Sequence, residues 1–216
     1  MPHLTPRLAV SSPNVFRQEL VNGLSRRSVY GRQLWDAVVK SGLISIDTLH
    51  IESGSWVSRS NAQKRYIHLG ASALPEVDRK RLIFNDSQVD YEQEVSLRLL
   101  HETGHLFEAS RIDAGSDRIQ DLLKTARAVR SVNQNLGLTA IGSLAFYEPA
   151  MKFREDSAEL MAMYAFSPNY LRSYLSHIDS PSNVAMLNDV GIAVVPGYGS
   201  ELFQIVEDTV QEGINI

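Results

Sequence analysis

The chain has 216 residues, 44% of them hydrophobic, and a formal net charge of −4 at pH 7. That is enough for one buried core with at most a small appendage, and the acidic balance argues against nucleic-acid binding through a basic surface. Cysteine is absent, which excludes disulfides, cysteine zinc knuckles and thiol nucleophiles, so any metal has to be held by histidine and carboxylate.

Taken in order, the first dozen residues, with Pro2, Pro6 and Pro13 nearby, read as an irregular arm. Asn14 to Gly23 and Tyr30 to Lys40 carry helical spacing, with Trp35 as a core anchor and Gly42 as a C-terminal stop. Residues 1–42 are therefore expected to form an arm and a helical segment, and 43–216 the main domain, the whole being one compact unit. From Leu43 the period changes. Ile44, Ile46, Leu49 and Ile51 suggest a strand with a slip near Asp47, and Ser53-Gly54-Ser55 a turn. Lys64 to Leu69 and Arg81 to Phe84 read as two further strands. His68 is a candidate for substrate contact on an edge strand, against the blander reading of a surface histidine.

Asp90 with Gln93 resembles a capping box opening a helix from Tyr91 to Ser110. Ser116 to Asn133 is helical, its basic residues forming a solvated face, and Gly137 to Gly142 is a loop. Met151 to Phe166, Asn169 to His177 (capped by Ser167), Pro181 to Val190 and Ser200 to Glu212 complete a helical C-terminal half. The fold class is α+β, a small twisted and mostly antiparallel sheet beside many helices. No run of about 18 or more apolar residues occurs, so no membrane span is expected. The N-terminus does not read as a signal peptide. Cytoplasmic location is the default expectation, with signal-less export left open.

The helix from Tyr91 contains His101-Glu102-Thr103-Gly104-His105. Positions i and i+4 lie about 40° apart on a helix, so the two histidines share a face. Two imidazoles on adjacent turns can hold one Zn²⁺. Glu102 is placed to act as general base toward a water that the metal activates. Val95, Leu99, Leu100, Leu106 and Phe107 form an apolar stripe for the core, while both histidines fall nearly opposite, with Glu94, Leu97, Arg98 and Glu108. That arrangement points to a zinc site bordering a cleft. The competing reading is a pair of histidines on a solvated face.

A catalytic zinc takes three protein ligands and leaves a fourth position open. No third histidine follows at His-x-x-Gly-x-x-His spacing, since Arg111 follows Ser110. A downstream glutamate is then favoured, and Glu155 and Glu159 share a helix face at i, i+4. One would bind the metal while the other orients a ligand histidine through its second ring nitrogen. The expected assignment is Glu155 to the metal and Glu159 to the histidine, the alternative being two surface glutamates. Ala158 and Ala162 leave room for close helix approach.

His-Glu-Thr-Gly-His followed by Glu-x-x-Ala-Glu resembles the gluzincin-type zincin metallopeptidases. It is particularly similar to the anthrax lethal factor group and the Pro-Pro endopeptidases, with the Glu-x-x-Ala-Asn/Asp signature of ImmA-like peptidases as a second resemblance. The likeness runs from the zinc helix to Ala162-Met163-Tyr164-Ala165-Phe166-Ser167-Pro168; the first ninety residues carry none. It implies a zincin-like fold, a Zn²⁺ cofactor, a protein or peptide substrate, and Glu155 as third ligand. It also implies a tyrosine seven residues before that ligand as oxyanion donor. Tyr147 stands eight before Glu155, so the register departs by one, and Tyr164 and Tyr198 are fallbacks for the same task.

The expected function is zinc-dependent endopeptidase activity with Glu102 as general base. A substrate strand would lie along a sheet edge at Tyr66–Leu69 or Leu82–Phe84. The rivals are an inactive zincin-like binding or regulatory module, and a helical protein with an accidental motif.

Overall fold

The computed structural model describes residues 13–52, 55, 57–70, 91–122, 152–176, 179–189 and 196–215. The expected arm at 1–12, the strand at 81–84, the Asp90 cap, the loop at 137–142 and Tyr147 lie outside them.

Helix α1 (Pro13–Arg27) buries Phe16, Leu20, Val21 and Leu24 along one stripe. Val15, on the far side, stays exposed. Helix α2 (Gly31–Lys40) buries Leu34, Trp35 and Val38. It stops where the sequence says it should. Gly42 adopts φ +73, its N–H bonds to the Val39 carbonyl at 2.9 Å, and the Leu43 N–H reaches Val38 at 3.3 Å. This pair of reversed bonds satisfies carbonyls that the last turn leaves open, and only glycine takes that φ without strain.

The slip near Asp47 is a 3₁₀ turn, Ile46–Thr48, in which the Ser45 N–H bonds to the Thr48 hydroxyl at 3.0 Å. Ile44 and Ile46 therefore precede the strand. Strand β1 is Leu49–Glu52, β2 is Arg59–Asn61 and β3 is Tyr66–Gly70, in the order β1-β3-β2. β1 runs parallel to β3 and β2 antiparallel to it. Among the described residues the sheet is thus mixed, against the expectation of mostly antiparallel pairing. β3, expected to offer an edge, is the central strand. β2 was not foreseen, because Arg-Ser-Asn carries no apolar alternation.

Helix α3 (Tyr91–Asp113) outlasts its expected end at Ser110. Gly115, at φ +72, closes it with the same reversed bonds: Gly115 N–H to Ile112 at 2.9 Å and Ser116 N–H to Arg111 at 3.0 Å. After helical residues 117–122 the described chain resumes with α4 (Lys152–Phe166), α5 (Pro168–Ser176), α6 (Pro181–Asp189) and α7 (Tyr198–Ile214). Pro168 opens α5, where its missing N–H costs nothing, and Ser167 faces the Tyr170 N–H at 3.4 Å. The N-terminus of α7 is capped from elsewhere. Asp179 accepts the Gly199 and Ser200 N–H groups at 2.7 and 3.1 Å, placing a carboxylate where the helix dipole favours one.

A single buried cluster joins α1, α2, the sheet, α3, α4, α5 and α7. The N-terminal helices are part of it. Val29 and Tyr30 donate their N–H groups to Phe166 and Ala165 at 3.0 and 2.8 Å, which satisfies the last carbonyls of α4. Tyr30 also stacks on Tyr164, ring centroids 5.4 Å apart. The architecture is α-rich with a small mixed sheet, and none of the described helices is long and apolar enough to cross a membrane.

Candidate metal centre

The centre lies between α3 and α4, which pack closely along their lengths. The contact is set by Gly104. A Cβ there would lie 2.9 Å from the Ala158 carbonyl oxygen and 3.2 Å from its Cα. Only a hydrogen fits. This brings the backbones near enough for His101 and His105 to meet Glu155 and Glu159 directly.

The His101 Nε2 lies 3.0 Å from Glu155 Oε2, and the His105 Nε2 lies 3.3 Å from the same oxygen. All three ligand atoms fall within 4.8 Å of one another. The two rings stand nearly perpendicular, at 88°. Behind them, the other ring nitrogen of His101, Nδ1, lies 2.7 Å from Glu159 Oε2. The sequence thus names a set of residues that the fold brings together. α4 packs over part of the polar face of α3 and buries Glu108 there. His101 and His105 keep 15% and 20% of their side chains exposed, enough to leave an approach from one side.

The electrostatics follow from this packing. Burial by itself would lower the His101 pKa, but hydrogen bonds to Glu155 and Glu159 hold it well above the ordinary value. Burial pushes Glu155 upward, yet the two imidazoles win and keep its carboxyl well below the usual carboxylate range. Glu102 is 5% exposed. Desolvation raises its pKa, opposed by the nearby histidines.

Of the other candidates, Tyr164 fails on geometry. Tyr164 stands nine positions after Glu155, about half a turn round the helix from it. Its hydroxyl donates to Glu207 at 3.1 Å and accepts from Gln211 at 3.0 Å, in the core against α7. It cannot reach the centre. Tyr198 opens α7, next to the residues held by Asp179, and no contact joins it to the four site residues among the described interactions. His68 sits on the central strand, pairs with Glu52 at 3.1 Å and faces Arg59. Its cross-strand partners put it on the sheet face away from α3.

Glu108 departs from the helical wheel as well. It is 2% exposed and accepts a bond from the fully buried Ser157 at 2.5 Å.

A tetrahedral zinc with bonds of 2.0–2.1 Å has ligand atoms about 3.4 Å apart. The 3.0 and 3.3 Å separations around Glu155 are close to that edge length. Two imidazoles and one carboxylate, with no thiolate, also form a donor set that zinc accepts. The donor set suits a divalent ion such as zinc. No protein-family model, curated protein or solved structure matches the chain.

Proposed function

We propose that the protein is a zinc-dependent endopeptidase with a zincin-like catalytic unit. The observation that carries the reading is the convergence of His101, His105 and Glu155, with Glu102 buried on the same helix. An isolated metal-binding trio would not need that fourth residue.

His101, His105 and Glu155 would hold the ion, and Glu159 fixes His101 by accepting its Nδ1–H, which leaves Nε2 as the donor atom. Bound zinc supplies Lewis acidity, polarising the scissile carbonyl and lowering the pKa of water toward neutrality. Glu102 takes a proton from the attacking water and delivers it to the departing amine. Its raised pKa suits that exchange, because a carboxylate nearer neutrality both accepts and releases a proton. An extended peptide is the substrate class this arrangement favours. Among the described residues β2 pairs on one side only, and it contacts α3. A substrate strand added there would run past Glu102.

The test is metal content beside peptide cleavage. About one zinc per chain is expected in the native and Glu102→Gln proteins, with weakened binding in His101→Ala and Glu155→Ala. Cleavage of a peptide library should appear in the native protein and vanish in Glu102→Gln. Full zinc retention by Glu155→Ala would reject the ligand set. Zinc binding with no cleavage of any peptide would reject the peptidase and favour a binding module.

A further inference from the structure

The facing surfaces of α3 and α4 repeat every four residues. His101 and His105 are four apart, as are Glu155 and Glu159, and Ala158 is followed by Ala162. Four residues are about one helical turn, roughly 6 Å along the axis. If α4 were advanced by that step, Ala162 would meet Gly104 and Glu159 would meet the two histidines. A glycine–alanine contact and a histidine–carboxylate contact therefore exist in both registers. Apolar packing does not choose between them either. Leu160, Met161, Ala162, Met163, Tyr164 and Ala165 are each at most 2% exposed, so α4 is buried on every side there, and hydrophobic burial is non-directional. The far end of α4 is held by the Ala165 and Phe166 carbonyls and the Tyr164 hydroxyl, but none of those three contacts involves α3.

Glu108 breaks the repeat. It lies one turn beyond Gly104 and accepts the Ser157 hydroxyl at 2.5 Å, beside the Ala158 that Gly104 meets. Both side chains are buried. In the advanced register Met161 would stand where Ser157 does, and Met163 where Glu159 does. A carboxyl group withdrawn from water would then face a thioether in place of a hydroxyl donor, which burial makes costly. His101 Nδ1 would lose its carboxylate partner as well. An apolar side chain at position 108 could fill the same space at no loss of stability, so the buried carboxyl is accounted for by the register it excludes.

We propose that Glu108 is a positioning residue for the metal site: its bond with Ser157 pins α3 against α4 in the one register that presents Glu155 to the metal and Glu159 to His101. The inference rests on the metal-site reading above and adds the contact that selects between two equivalent glutamates.

Zinc affinity, by competition with a chromophoric chelator, and melting temperature would be measured on the full chain. The variants are Ser157→Ala, Glu108→Met and Glu108→Gln, each alone and combined with Glu155→Ala. Ser157→Ala and Glu108→Met should bind zinc about tenfold more weakly. Glu108→Met should do so at a native or higher melting temperature, because an apolar group replaces a buried carboxyl; a role in stability alone would lower both together. Glu108→Gln still accepts the hydroxyl and should keep native affinity. Glu155→Ala should cost less in Ser157→Ala and Glu108→Met than in the native protein, since Glu159 can then reach the metal, a coupling that the double variants measure. Native zinc affinity in both Ser157→Ala and Glu108→Met would overturn the pin and leave the metal site standing. Equal losses in Glu108→Gln and Glu108→Met would assign the effect to charge and overturn it too, as would the same cost of Glu155→Ala in every background. Absence of zinc from the native protein would overturn the site and this inference together.

Discussion

Gly104 offers the sharpest test of how the centre is assembled. In Gly104→Ala the new Cβ would lie 2.9 Å from the Ala158 oxygen, 3.2 Å from its Cα and 3.4 Å from its carbonyl carbon. All three are backbone atoms, so no rotamer change relieves the clash. Restoring ordinary contact requires α3 and α4 to separate by about 0.5 Å. The effect on stability is the difference of two terms. Overpacking costs about 1–3 kcal/mol, while alanine gains about 1 kcal/mol over glycine inside a helix. The net shift in melting temperature is therefore small. Metal affinity has no such compensation. His101 and His105 move with α3 and Glu155 with α4, and metal sites tolerate displacements of only about 0.2 Å. Zinc affinity should fall by roughly 10- to 100-fold, read by competition with a chromophoric chelator. Ala158→Gly should not rescue the variant, since Cα and the carbonyl remain. Native zinc affinity in Gly104→Ala would refute the argument that this contact sets the ligand spacing.

Glu159→Gln retains size but removes the charge beside the His101 Nδ1 at 2.7 Å; zinc affinity should drop about tenfold, and an unchanged value on chelator competition would reject its orienting role. His101, held protonated above its ordinary value by Glu155 and Glu159, must lose a proton before Nε2 can bind a metal. Zinc uptake should then release about one proton, so apparent affinity rises with pH beyond the ordinary imidazole range; calorimetry in two buffers of different ionisation enthalpy measures this, and a pH-independent affinity would contradict it. Tyr164 is pushed up to about 12 by burial, so between its unfolded value near 10 and that value the native state holds a proton that the unfolded chain has lost. Stability should therefore fall as pH rises through this window and be unaffected by Tyr164 below it. Tyr164→Phe should flatten the alkaline loss in melting temperature, and an identical slope would reject the burial of Tyr164 as its cause.

What the sequence made legible was whatever depends on short-range periodicity. His101, Glu102 and His105 share one helix, so spacing alone assigns their relative directions, and the same holds for Glu155 and Glu159. Gly42 could be read as a stop because its role lies in its own φ. Gly115 carried an identical signal for the end of α3 and went unused. The misreadings arise where a second element decides the environment. A helical wheel reports which residues are polar, but not whether water or another polar helix faces them. Glu108 reads as part of the polar face, yet α4 buries it against Ser157. Tyr164 looked available because it lies near the ligand motif in sequence, while the half-turn offset from Glu155 sends it into the core beside α7. Strand β2 shows the same limit from the other side. A three-residue strand without alternation has no local signature, and its orientation comes only from pairing with Ile67. These cases share one cause. The polar atoms of this centre exchange water for one another, so the residues of the proposed metal site can be named from one helix at a time, whereas the residues that hold them in place exist as such only once α3, α4 and the sheet have packed.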